Sequence, residues 1–197
     1  MINKLGWKIG GEQGEGLEST AEIFSTVINT LGYHMYSTRD FASRIKGGHS
    51  NSKICISEER INVIDYKTDI LIAFDQATLD SYIPELDENS IIIADAKIKP
   101  EISEEIKGLV AVFPITDLAK EIANPIIKNI ITLGICSALL DIDSKIFYDM
   151  IEAKFSSKGE EIVNTNIQAF DKGREIMNDF MAENNINDKY YLKKLNP

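Results

Sequence analysis

The sequence predicts a single α/β domain built on a mainly parallel sheet, with a β-hairpin and helices on both faces. Three observations carry that expectation. Trp7-Lys8-Ile9 reads as a short strand ending in the glycine-rich turn "GGEQGEG", Gly10 to Gly16. Leu17, Ala21, Phe24, Ile28 and Leu31 then recur at helical spacing, with Gly32 as a natural stop. Further on, "DILIAFD", "SIIIAD" and "LVAVFPI" are apolar throughout, the pattern of strands buried on both faces of a parallel sheet.

The remaining elements follow in order. Tyr33 to Thr38 reads as a second strand, which completes a strand–turn–helix–strand unit. His34 falls in that strand and is expected to be a packed core residue. Ile54 and Ile56 alternate with Lys53, Cys55 and Ser57; a turn at Ser57 to Arg60 and an extended Ile61 to Ile64 make this the expected hairpin. Two of the apolar runs end in Asp75 and Asp95, at the carboxyl edge where open α/β sheets place ligands. Asn124-Pro125 supplies an N-cap and a first-turn proline for an apolar helix, Ile126 through Leu140, buried against the sheet or a partner. Asp143 caps a second helix through Phe155, and a third runs from Glu160 to Met181. The domain is thus expected over 1–182, with residues 183–197, "ENNINDKYYLKKLNP", as a polar linker or arm.

Composition narrows the function. Among 197 residues, 44% are hydrophobic and 26% charged, ordinary for a globular protein, and the formal charge is −10. That charge argues against nucleic-acid binding, which needs a broad cationic surface, yet permits one phosphate-bearing ligand in a local basic pocket. No apolar run approaches the roughly 18 residues of a membrane span, and the opening residues lack a signal peptide's apolar core. A cytoplasmic protein with no membrane segment is expected. Cys55 and Cys136 lie far apart in apolar contexts and read as small buried residues. Two cysteines cannot build a Cys₄ iron–sulfur cluster, so redox metal chemistry would have to come from another chain.

Two segments stand out. In the glycine loop, Gly14-x-Gly16-x-x-Ser19 nearly matches a dinucleotide fingerprint, but a serine takes the third glycine's place and Glu12 and Glu15 would repel a pyrophosphate. Arg39, just past the second strand, suits a 2′-phosphate better than NAD, so three readings stand: NADP binding, a tight packing turn, or contact with another ligand or subunit. The second segment, Arg44-Ile45-Lys46-Gly47-Gly48-His49, packs two cations, a glycine pair and an imidazole into an acidic chain. Gly47-Gly48 can present backbone N–H groups as an anion nest, Arg44 can chelate phosphate, and His49 can donate to the same anion or act as acid or base. The alternative is a solvated loop leading into the hairpin. No nucleophile elbow and no metal-spaced set of ligands occurs, so no catalytic residue and no metal site is assigned.

Together "IGGEQGEGLESTAEIFSTVINTLGY" and "YSTRDFASRIKGGHSNSKICIS" resemble the gamma subunit or domain of 2-oxoacid:acceptor (ferredoxin) oxidoreductases. The form fused at the N-terminus of the alpha subunit in two-subunit, 2-oxoglutarate-type enzymes is the nearest in pattern. "NIITLGICSALLDI" and "FSSKGEEIVNTNIQAFDKG" are similar to the family's late apolar helix and its Phe-x-x-Lys-Gly segment; Ala21 and Ser37 depart from the pattern. The resemblance spans about residues 5 to 182. It implies a Rossmann-like domain in an enzyme that decarboxylates a 2-oxoacid oxidatively, passes electrons to ferredoxin and forms an acyl-CoA. It further implies that thiamine diphosphate sits between partner alpha and beta domains, that the iron–sulfur clusters belong to other modules, and that this chain alone holds no cofactor and is inactive. Arg44, Lys46, Gly47, Gly48 and His49, with Gly14 and Gly16 of the glycine loop, inherit a coenzyme A contact; a purely structural assembly module is the other implied role. The polar arm resembles an interdomain linker, which favours a piece of a longer alpha subunit over a free gamma subunit.

Overall fold

Residues Ile70–Ala73 and Ile91–Asp95, which show no polar alternation, are buried at every position inside a six-stranded sheet. A computed structural model describes residues 4–41, 48–62, 67–187, 190–192 and 195. The chain divides into two compact units, Asn3–Pro114 and Ile115–Asn196.

The first unit holds strands β1 (Lys4–Glu12), β2 (His34–Phe41), β3 (His49–Ser57), β4 (Ile70–Ala73), β5 (Ile91–Asp95) and β6 (Leu109–Phe113), with helices α1 (Leu17–Thr30) and α2 (Gln76–Tyr82). The strand order is β2-β3-β1-β4-β5-β6. β1, β4, β5 and β6 are parallel; β3 runs against both its neighbours, so β2 points the same way as β1. The α/β class and the mainly parallel sheet are as the apolar runs predict. On β1 the side chains alternate. Leu5, Trp7 and Ile9 face α1, where Trp7 stacks on Phe24 with ring centroids 4.7 Å apart. Each such fully buried apolar side chain contributes about 1.5–3 kcal/mol. Lys8 and its alternates face the other way, towards α2, so α1 and α2 cover opposite faces.

The hairpin exists, but its arms are β2 and β3, and residues 42–48 connect them. Pairing of β3 with an extended Ile61 to Ile64 is ruled out by its register. β3 is bonded along its length to β1 on one edge and to β2 on the other, so neither edge is open. Ile61 and Asn62 are irregular, while Val63 and Ile64 lie outside the described residues. His34 is exposed rather than packed, because β2 is the sheet's edge strand and the preceding Tyr33 takes the buried position.

The second unit contains α3 (Ile115–Ile122), α4 (Lys128–Leu139), α5 (Ser144–Phe155) and α6 (Glu160–Glu183). The expected caps are in place. Asn124 accepts from Ile126 N–H at 3.0 Å ahead of a short 3₁₀ turn at Pro125–Ile127, and Asp143 accepts from Lys145 N–H at 2.9 Å at the start of α5. Every residue of α4 is buried. α5 packs on α6 through Phe147 and Phe170, 4.9 Å between centroids, and Arg174 of α6 donates to Ser137 Oγ and the Ile142 carbonyl beyond α4. Beyond α6 the chain is less arm-like than its polarity predicts. Tyr190 and Leu192 are buried, and Leu192 N–H donates to the Leu140 carbonyl at 3.1 Å. Both cysteines are buried, as their apolar contexts predict. Among the described residues no helix is long and apolar enough to cross a membrane.

Candidate functional site

The carboxyl edge of the sheet gathers the end of β1, the start of β3 and Asp75, two residues beyond β4. β1 runs into the glycine loop, and Gly16 closes it as the N-cap of α1 at φ 80°, a left-handed conformation in which a side chain would be strained. The loop is held by its own acid. Glu12 N–H donates to Glu15 Oε2 at 2.9 Å, and Glu15 N–H returns to the Glu12 carbonyl at 3.3 Å. A carboxylate of the chain therefore already occupies one backbone donor of this turn.

Gln13 N–H reaches across to the Gly48 carbonyl at 3.0 Å. The two segments picked out by sequence thus meet: Gly14, Gly16, Gly48 and His49 share one edge of the sheet. A cleft of about 390 Å³ opens beside them, lined by Gln13, Gly14, Gly16, Leu17, Ser19 and Ser50 together with Glu18. Arg44, Lys46 and Gly47 lie outside the described residues. Arg39 stands 4.0 Å from Glu18, an exposed pair that contributes little.

His49 is anchored at both ring nitrogens. Nδ1 lies 3.1 Å from Asp75 Oδ2 and Nε2 lies 3.2 Å from the Tyr82 hydroxyl. Asp75 also caps α2, accepting Thr78 N–H at 2.8 Å and Thr78 O–H at 2.6 Å on its other oxygen. Asp95 acts likewise as a cap, accepting from Lys97 N–H at 3.2 Å. Asn51 Nδ2 donates to Tyr82 Oη at 2.6 Å and, more weakly, to Asp40 Oδ2 at 3.3 Å.

The same sheet face continues into a buried charge cluster that the sequence reading missed. Lys8 and Lys53 are cross-strand neighbours, and both reach Glu85, at 2.5 Å and 3.0 Å. Thr68 O–H donates to Glu85 at 2.6 Å, and the Lys8 ammonium sits 3.6 Å above the Tyr82 ring. Burial pulls the Lys8 ammonium below its ordinary value despite Glu85. Burial pushes the Glu85 carboxyl up, but the hydrogen bonds from Lys8, Thr68 and Lys53 outweigh it and leave it lowered. The signal for this face was in the strand itself. His49, Asn51, Lys53 and Cys55 occupy alternate positions, which reads as a solvent face unless a helix covers it.

Among the described residues, Tyr33 and Tyr82 are pushed up to about 12. For Tyr82 the causes are burial, then Asp40, Glu85 and Asp75; for Tyr33 they are burial, then Glu58. A folded value above the ordinary phenol value of about 10 gives a stabilising contribution that is fully present below that pH. It is lost as pH rises from there through about 12. In an absorbance titration Tyr33 and Tyr82 are expected to ionise late, alongside Tyr148, which its hydrogen bond to Asp171 also raises, with the unfolding midpoint falling over that window. Tyr82→Phe should remove one late-ionising tyrosine from that titration; an unchanged number would place that late group elsewhere.

The chain belongs to the pyruvate ferredoxin/flavodoxin oxidoreductase family, whose profile matches residues 6–176. It is 30% identical over 142 residues to the 2-oxoglutarate synthase subunit KorC of Methanocaldococcus jannaschii, covering 71% of this chain and 75% of that one. It is 28% identical over 193 residues to a 2-oxoacid:ferredoxin oxidoreductase subunit alpha of Sulfolobus sp, covering 77% of this chain but 30% of the relative, so it spans less than a third of that protein. The fold matches that of a 2-oxoglutarate:ferredoxin oxidoreductase from Magnetococcus marinus with 2-oxoglutarate, coenzyme A and succinyl-CoA bound. There the TM-score is 0.84 at 24% identity, over 100% of this chain and 33% of that one.

Proposed function

We propose that this chain is the gamma-type module of a thiamine diphosphate-dependent 2-oxoacid:ferredoxin oxidoreductase, and that its carboxyl edge contributes to admitting coenzyme A. The observation that carries the reading is the meeting of the two signature segments, glycine loop to Gly48, beside an open cleft. Arg44 and Lys46 belong to the segment that ends at that junction. Coenzyme A carries a pyrophosphate and a 3′-phosphate. In a chain of net charge −10, a local pair of cations is what would offset the repulsion of such a ligand.

The chemistry of decarboxylation and electron transfer belongs to the neighbouring domains in this reading. Two buried cysteines do not fit the four thiolates of an iron–sulfur cluster, and no step of the reaction is assigned to residues of this chain. The module's partners are the thiamine-binding alpha and beta domains, and ferredoxin meets the complex rather than this module.

Coenzyme A titrated into the assembled complex is expected to bind about tenfold more weakly after Arg44→Ala, the loss of one charge-assisted hydrogen bond. Equal affinities would reject the coenzyme A role. The isolated chain is expected not to reduce a viologen dye with a 2-oxoacid and coenzyme A.

A further inference from the structure

We infer that His49 is a positioning residue: its imidazole is committed inside the module, and it fixes the wall of the cleft instead of touching a ligand. Each ring nitrogen has a partner of defined sense. Asp75 Oδ2 is a carboxylate acceptor, so the proton belongs on Nδ1. The Tyr82 hydroxyl already accepts from Asn51 Nδ2, and the same Nδ2 reaches Asp40 Oδ2, a carboxylate oxygen that can only accept. Asn51 therefore presents its donor to Tyr82, and the one phenol proton goes to His49 Nε2. The resulting chain runs Asn51 to Tyr82 to His49 to Asp75, and its last member caps α2.

The consequence lies on either side of His49 in sequence. Gly48 accepts the bond that ties the glycine loop across the edge, and Ser50 lines the cleft. Locking the ring between β4's end and α2 therefore holds both walls of the cleft in register. Fixing a side chain through two hydrogen bonds of its own is how a site on a strand end gains precision. The inference rests on the proposed coenzyme A role only for what the cleft receives.

Histidine-selective ¹⁵N labelling of the chain reports two rings, His34 and His49. For His49 a bonded proton is expected on Nδ1 and none on Nε2. Asp75→Asn should invert this, since an amide can keep Thr78 on its oxygen and donate to Nδ1 through its nitrogen. A bare Nδ1 in the parent protein would overturn the assignment. Tyr82→Phe keeps the ring under Lys8 and removes only the hydroxyl. Hydrogen exchange at the Gln13 amide should then quicken on the order of fivefold, while the β5 amides are unchanged and report an intact fold. Unaltered Gln13 exchange would overturn the positioning role. In the assembled enzyme the same variant should raise KM for coenzyme A more than it lowers kcat. Faster Gln13 exchange with an unmoved KM would uphold His49 as a positioning residue and reject coenzyme A as the occupant.

Discussion

Glu85→Gln is expected to cost the sheet unit about 3 kcal/mol or more, the penalty for removing one partner of a buried ion cluster. The substitution is nearly isosteric, so packing is not the cause. It strips two ammonium groups, with side chains 4% and 7% exposed, of the carboxylate they share. A surface pair would cost a few tenths of a kcal/mol, and burial is what separates the two cases. For a chain of this size the thermal midpoint should fall by about 10 °C. Replacing the whole cluster at once, with Lys8 and Lys53 to Met and Glu85 to Leu, should recover much of the loss, because the desolvation of three charges disappears with them. The pH dependence follows from the lowered Glu85 carboxyl. Its contribution is present above the ordinary carboxylate range and is lost as pH falls through the lowered folded value, so Glu85→Gln should flatten the acid limb of the stability profile. A loss under 1 kcal/mol at neutral pH would mean that water reaches the two ammonium groups.

The cluster also shows where the sequence was legible and where it was not. The apolar strands β4 and β5, the amphipathic α1, and the caps at Asn124 and Asp143 depend on local patterns, and each lies where the pattern put it. β3 depends on what covers it. Its Lys53 and Cys55 alternate with isoleucines like a strand half in water, yet both faces are buried because α2 closes over the polar side. That arrangement is tertiary, and nothing near Lys53 in sequence announces it. α2 and α3, of 7 and 8 residues, are too short for a periodic signal, although the cap of α2, Asp75, was noticed for another reason. The glycine loop and the Gly48-His49 end of the basic segment could be picked out by residue type. Their contact through Gln13 could not, because it joins residues 35 positions apart, 13 and 48, across the sheet edge.

Gly134→Ala and Gly173→Ala are each expected to destabilise the helical unit by about 3 kcal/mol, although both lie inside helices, where alanine is the better former. Propensity alone would make either change stabilising by about 1 kcal/mol. The geometry reverses the sign. A Cβ at Gly134 falls on the Phe170 carbonyl oxygen and within 3.0 Å of Arg174 N; one at Gly173 falls on the Ile131 carbonyl oxygen and within 3.0 Å of Ile135 N. All of these are backbone atoms, so no side chain can swing aside and the helices must part. Overpacking of this kind costs about 1–3 kcal/mol, and parting α4 from α6 adds the loss of their buried contact. The two glycines face one crossing, each against the turn that bears the other. Once one alanine has separated the helices, the second meets less resistance, so the double variant should lose clearly less than the sum of the singles. Denaturant unfolding of the two singles and the double measures that coupling. Additive losses, or a gain of the size propensity predicts, would mean that α4 and α6 do not meet at these glycines.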